Sequence, residues 1–79
     1  ISGFEIINEL LLRFTTAVNN CYENKASSYD KLLMKSLPED MGLQHQNLYD
    51  RLMSVCFVVA SYSDSKAILT YKKLKGMTL

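Results

Sequence analysis

Residues 48–76 read LYDRLMSVCFVVASYSDSKAILTYKKLKG, and this stretch decides the fold. Its first half is apolar from 52 to 60 at every position but one, so we expect the rest of the chain to surround it. Its second half is amphipathic, starts at a capping signal formed by Ser63 and Asp64, and ends on Gly76, which suits a left-handed helix stop. The stretch therefore predicts a buried central helix, a tight polar turn and a final helix.

A β-strand is the alternative for VCFVVASY at 55–62, because these residues are largely β-branched or aromatic. No other segment of the sequence resembles a pairing partner, so we favour a helix. As a helix, the stretch has apolar side chains on two faces: Leu48, Leu52, Val55, Cys56 and Val59 on one, and Met53, Phe57 and Ala60 on the other.

The residues before this stretch predict two more helices. Ser2 and Glu5 form a capping-box pattern, and apolar residues then recur at helical spacing. This stripe consists of Ile7, Leu10, Leu11, Phe14, Ala17, Val18 and Cys21, with Ile6 and Leu12 outside it. After a polar link, Ser27 or Ser28 can cap a short second helix, which Pro38 ends.

We therefore predict an all-α fold, a small bundle of four helices in a single domain spanning residues 1–79. The helices are expected at about 3–24, 28–36, 48–62 and 65–75. The chain opens on Ile1 and an apolar helical pattern starts almost at once, so we expect it to be part of a longer chain.

Composition narrows the classes of function. Nine Lys and Arg stand against eight Asp and Glu, a net charge of +1 that gives no electrostatic case for nucleic acid or an anionic membrane. The longest apolar run is about half of what a membrane-spanning helix needs, and no signal peptide is visible, so we expect a cytoplasmic protein. Hydrophobic residues make up 48% of the chain, more than so small a domain readily buries. Some apolar surface is therefore expected to face the rest of its own chain or a neighbouring subunit.

Residues that carry reactive or metal-binding chemistry are few. Cys21 and Cys56 fall on apolar helical positions and are most simply small core residues, although a disulfide between them stays open. His45, the single histidine, is far in sequence from either cysteine, so neither a zinc site nor a Cys–His nucleophile is predicted. We expect no catalytic residue, no bound metal and no cofactor within these residues.

Two polar residues of the stretch are candidate contacts. Arg51 directly precedes the most apolar residues and, if partly buried, needs an anionic or carbonyl partner. Asp50, Asp64 and a ligand phosphate are all possible partners. Asp64 is more simply explained as a helix cap, and the lysines of the last helical turn as a solvated helix end rather than a phosphate site.

These residues carry a family resemblance. Tyr49-Asp50-Arg51-Leu52-Met53, followed by Asp64, Ala67, Tyr71, Leu74 and Gly76, is similar in order and spacing to the C-terminal helical segment of bacterial dGTP triphosphohydrolases, which are HD-domain phosphohydrolases. Ile1-Ser2-Gly3-Phe4 and the Leu37-Pro38 pair also have counterparts in that family. The sequence departs from the family at Phe57, where the family has Asp, and at 60–63, where the family has Ser-Gly-Met-Thr.

The resemblance implies a fragment of a larger helical enzyme that converts a deoxynucleoside triphosphate to the deoxynucleoside and tripolyphosphate. It implies a divalent metal, Mg²⁺ or Mn²⁺, for the intact parent, and a homo-oligomer. The family's metal-binding His, His-Asp and Asp residues precede this segment, so the implied role here is accessory: packing, subunit contact or the edge of the nucleotide site. For that edge, Arg51, Asp64 and Tyr71 are the candidate polar contacts. The alternative is a free-standing helical module for protein–protein interaction or oligomerisation.

Overall fold

The computed structural model describes residues 2–39 and 47–77, and in these ranges it contains four α-helices and no strand. The helices are α1 (Gly3–Tyr22), α2 (Ser28–Lys35), α3 (Leu48–Ala60) and α4 (Asp64–Gly76). The predicted all-α bundle of four helices is confirmed, and the strand interpretation of 55–62 is wrong. Predicted and observed helix ends differ by at most two residues. The prediction for His45 lies outside the described residues.

Polar side chains begin each helix by accepting backbone N–H groups that have no partner within the helix. The four N-caps are Ser2, Ser27, Asn47 and Ser63. At α2 the cap is reciprocal: Ser27 Oγ accepts the N–H of Asp30, and the Asp30 carboxylate accepts the N–H of Ser27. At α4 Ser63 is the cap, and Asp64 is the first helical residue, where its charge suits the helix dipole.

Two helix ends differ from expectation in their backbone. Asn24, just past α1, has a φ of 60°, the left-handed conformation that asparagine tolerates better than most residues. Gly76, by contrast, is still helical, and the cap that follows it is Met77 with a φ of −83°. The predicted left-handed stop at Gly76 is therefore wrong. The Met77 N–H instead bonds to the carbonyls of Lys73 and Leu74, which closes the last turn.

The central helix is α1, which packs against each of the other three helices. At 20 residues it is the longest, and its buried stripe consists of Ile6, Leu10, Phe14, Ala17 and Val18. Ile6 thus belongs to the core, whereas Cys21 and the predicted stripe residues Ile7 and Leu11 are only half-buried. Leu12 is exposed, as its position off the stripe predicts.

The expectation that α3 is the surrounded central helix is wrong. It buries one side only, formed by Arg51, Val55, Val58 and Val59. The other helices pack mainly on α1, so the opposite side of α3 is left uncovered. Cys56 lies on that uncovered side, and its predicted place in the core is wrong; both cysteines are free thiols.

The remaining core residues come from α2, from the segment directly after it, and from α4. They are Leu33 on α2, Leu37 just past its end, and Ala67 and Leu74 on α4. Leu32, Ile68 and Leu69 face outward. Within the described ranges, no single helix is long and apolar enough to cross a bilayer; α3 and α4 meet that requirement only together, across a bend of 117°.

Candidate functional site

Arg51, the first candidate contact, is buried between α3 and α1. Its Nε donates to Oδ1 of Asn19 at 3.0 Å, and its guanidinium carbon lies 3.9 Å from the centre of the Tyr22 ring. A planar guanidinium satisfies both contacts at once, because it donates in its plane and stacks by its face. The carbonyl partner expected from the sequence is thus the Asn19 amide, and neither Asp50 nor Asp64 takes that place.

Asp64 and Tyr71, the other two candidates, lie on α4. Asp64 is exposed and borders a cavity of about 210 Å³ shared with Gly3, Ile6 and Ile7 at the start of α1. Tyr71 is half-buried against the core, and the Lys75 ammonium lies 5.6 Å from its ring centre. Neither residue contributes to a set of converging polar groups.

The structure does not bring the three candidates together. Arg51 contacts α1 at Asn19, whereas Asp64 lies beside Ile6, thirteen residues earlier on the same helix. At 1.5 Å per residue these two points are about 20 Å apart along the axis. Arg51 and Asp64 are therefore too far apart within this chain to form one nucleotide-edge site.

A second polar cluster, absent from the sequence predictions, joins α1, α2 and α4. Nε of Arg13 donates to Glu9 at 2.9 Å, and its Nη1 donates to the hydroxyl of Tyr29. That hydroxyl in turn donates to the carbonyl oxygen of Leu74 at 3.2 Å. The hydrogen bond to Glu9 is the main reason that the pKa of Arg13 is raised. The four-residue spacing of Glu9 and Arg13 could have indicated the first bond, but nothing local indicates the contact of Tyr29 with Leu74.

Asp30 is the one buried carboxylate among the described residues. Burial by itself raises the pKa of Asp30, but hydrogen bonds from Nδ2 of Asn20 at 2.9 Å and from Ser27 outweigh burial and leave that pKa below its ordinary value. The charged form is therefore the one that the fold stabilises. The Asp30 carboxylate thus joins the start of α2 to the end of α1.

We expect Asp30→Asn to remove a pH-dependent part of the stability. Because the folded-state pKa is lowered, the contribution is fully present above the unfolded value of about 3.9 and is lost as pH falls through the folded value. The free energy of unfolding, measured in urea from pH 6 to pH 2, should differ between the two proteins by about 1–3 kcal/mol at the upper end and converge at the lower end. Asp64→Asn, at an exposed helix start, is the control. A difference that stays constant with pH would contradict the argument.

A cavity of about 350 Å³ opens where α2 and α3 end. Phe57, Tyr62 and Pro38 line it, together with Lys66, whose ammonium lies 5.0 Å from the Tyr62 ring centre. Burial raises the pKa of Tyr62, so its hydroxyl stays protonated at neutral pH. The lining is mixed: the hydroxyls of Ser36, Ser61 and Tyr62 add polar atoms to the apolar side chains, and Lys66 is its charged group.

Metal chemistry does not fit the described part of the chain. Within residues 2–39 and 47–77, no three His, Cys, Asp or Glu side chains converge so that they could hold a metal ion. These residues therefore do not build the divalent-metal centre that the resemblance implies for the intact parent.

The outer α3 face is an exposed, largely apolar surface within residues 48–76. We use this name for five exposed, uncharged residues on the side of α3 away from the core: Tyr49, Met53, Cys56, Phe57 and Ala60. They recur at spacings of three and four and so form one stripe along the helix. An uncovered apolar stripe of this kind is typical of a surface that contacts another protein segment.

Comparison with known proteins found one relevant similarity. The whole chain aligns with a protein from Synechocystis sp. named deoxyguanosinetriphosphate triphosphohydrolase-like protein, with 31% identity over 80 positions. The alignment covers 100% of this chain and 18% of that relative, so the chain spans less than a fifth of the relative's length. No protein-family model matches the chain, and no solved structure matches it significantly.

Proposed function

We propose that this chain is a non-catalytic helical segment of a dGTP triphosphohydrolase-like enzyme, from the C-terminal part of that enzyme. The similarity to the Synechocystis protein supports the family, because it extends over the whole of this chain. The order of Arg51, Asp64 and Tyr71 in the sequence supports the position within the enzyme. The parent would act in the cytoplasm as a homo-oligomer, with its divalent metal held by residues outside this chain.

One observation carries the non-catalytic role: Arg51, the best candidate for a phosphate contact, is already engaged within the fold. It is 5% exposed, bonded to Asn19 and stacked on Tyr22. If Arg51 left this position to bind a ligand, the contacts that hold α3 against α1 would be lost. Its guanidinium would also have to be desolvated again at the new position. Arg51 therefore holds α3 against α1, and Arg13 holds α2 against α1.

The role that remains is contact with other parts of the enzyme. Apolar side chains are uncovered on each of the four described helices: Phe4 and Leu12 on α1, Leu32 on α2, Tyr49, Met53 and Phe57 on α3, and Ile68 and Leu69 on α4. Faces on several sides suit a segment that lies among neighbours. They also favour the second candidate function, a free-standing interaction module, which differs in having no catalytic parent.

The test compares this chain with the intact parent in a dGTP hydrolysis assay. Each is incubated with dGTP and Mn²⁺, and released deoxyguanosine and tripolyphosphate are separated by ion-exchange chromatography. We expect products from the parent and none from the chain alone. Turnover by the chain alone would overturn the non-catalytic role, and an inactive, folded parent would favour the interaction module.

Arg51→Lys in the intact parent separates a structural from a nucleotide-binding role. Lysine keeps the charge but loses the planar stacking on Tyr22 and the in-plane donor to Asn19. If Arg51 fastens helices, the variant should melt at a lower temperature with an unchanged KM for dGTP. A raised KM with unchanged melting would show that Arg51 contacts substrate.

A further inference from the structure

We infer that two copies of this chain pair through the outer α3 face, with their α3 helices antiparallel about a two-fold axis. None of the five residues of this face is charged, so bringing two copies together opposes no like charges. A two-fold contact needs only one self-complementary patch on each molecule. The inference goes beyond the proposed function by naming a pairing surface, and it does not depend on that function, since it uses only exposed residues of α3 and the neighbouring Lys66 of α4.

The outer α3 face supplies a large part of the area that such a contact requires. Tyr49 and Phe57 are 67% and 68% exposed, which leaves roughly 250 Å² uncovered on these two residues. Met53, at 48%, and the two small residues raise the exposed area to roughly 400 Å². An ordinary interface takes about 800 Å² from each partner, of which slightly more than half is apolar. The five residues therefore supply about half of one partner's share, and residues at the edge of the face supply the rest.

Side-chain size along the face favours the antiparallel arrangement. The large Tyr49 lies at the start of the stripe and the small Ala60 at its end. A two-fold axis midway between Met53 and Phe57 sets Met53 against the partner's Phe57 and brings Tyr49 to within one position of the partner's Ala60. Large residues then meet small ones at both ends, and the helix dipoles oppose each other. A parallel pair would instead place the two tyrosines against each other.

Charge at the edge of the face agrees with the same arrangement. Asp50 is exposed at the start of α3, and Lys66 borders a cavity with Phe57 and Ser61 at the end of α3. Asp50 and Phe57 are seven positions apart, so they lie on the same edge of the face. In an antiparallel two-fold pair, this edge of one α3 helix lies beside the same edge of the partner's α3 helix, and the two helices run in opposite directions. Asp50 of each copy therefore comes next to the partner's Lys66, which gives two ion pairs of opposite charge.

The first test measures assembly by sedimentation equilibrium at micromolar concentration. We expect a mass twice that of the 9.0 kDa chain. Phe57→Asp should raise the dimer dissociation constant by more than about tenfold. Leu69→Asp is the matched control, because Leu69 is equally exposed at 68% but lies on α4. A strictly monomeric chain would overturn the inference, and so would a control that weakens the dimer as much as Phe57→Asp.

The second test exchanges charges and so tests the antiparallel register in variants that leave the core untouched. Asp50→Lys and Lys66→Asp should each weaken the dimer, because each places like charges side by side. The double variant should restore assembly to that of the unchanged chain. Additive weakening in the double variant would overturn the antiparallel pairing.

Cys56 gives an independent readout of the register. It lies one position from the two-fold axis, so at helix axes 8–10 Å apart the two Cys56 Cα atoms are about 6–8 Å apart. This overlaps the range that a disulfide spans. In a Cys21→Ser background, oxidation with diamide should convert the chain to a covalent dimer, and Cys56→Ser should abolish that product. A cross-link that forms equally with Phe57→Asp present would contradict the inference.

The outcome of the assembly tests is independent of the outcome of the hydrolysis test. Dimerisation is measured on this chain without nucleotide, and hydrolysis is measured on the intact parent. A dimer that breaks only with Phe57→Asp supports the pairing even if the parent does not hydrolyse dGTP. An active parent whose isolated segment is a monomer overturns the pairing alone.

Discussion

Val55→Asp is expected to unfold the chain or prevent its expression in soluble form. Val55 is fully buried, on the side of α3 that meets the core. An aspartate there must either keep an unpaired charge in an apolar environment or fold with its carboxyl group protonated, and either cost is several kcal/mol. A domain of this size has roughly 5–10 kcal/mol of stability in total. The substitution should therefore use up most of it.

The measurement is circular dichroism with thermal and urea unfolding. Leu69→Asp is the control, because it places the same residue at an exposed position of α4, outside the outer α3 face. The control should lose helix propensity only, well under 1 kcal/mol. A helical Val55→Asp protein with an unchanged melting temperature would show that this side of α3 does not face the core.

Phe14→Ala should cost about 3–5 kcal/mol, the second large effect that we expect. Phe14 is a fully buried side chain at the middle of α1, the helix that packs against α2, α3 and α4. Removing the ring leaves a cavity among densely packed core residues, so little relaxation is expected.

Phe4→Ala provides the comparison, since Phe4 lies on the same helix but is 76% exposed. It should change the free energy of unfolding by no more than about 0.5 kcal/mol. Urea denaturation of both variants decides between α1 and α3 as the centre. Equal losses for the two phenylalanines would contradict the central position of α1.

Local signals predicted the elements of the fold well. Caps such as Ser27 and Ser63, and the stop before Pro38, act within three or four residues, so a single sequence contains all that is needed to read them. The choice of the central helix could not be read in this way. Apolar residues occur on both sides of α3, and their spacing does not show which side a neighbouring helix covers.

The contacts of the candidate site could likewise be predicted only in part. The burial of Arg51 follows from its place beside the apolar residues of α3, and so does its need for an acceptor. The identity of that acceptor does not follow, because Asn19 is 32 residues away along the chain. The bond from Tyr29 to Leu74 crosses 45 residues. Contacts of this length depend on how helices pack, which no local pattern specifies.

The arrangement of three short helices on α1 gives the chain unequal local stabilities. Detaching α4 leaves the contacts of α1 with α2 and α3 in place, whereas unfolding α1 removes the packing partner of all three helices at once. Partial openings should therefore begin at the short helices and reach α1 last. Backbone amides near Leu10 and Phe14 would then exchange their hydrogens with solvent only when the whole chain unfolds, and those of α4 would do so through smaller and more frequent openings.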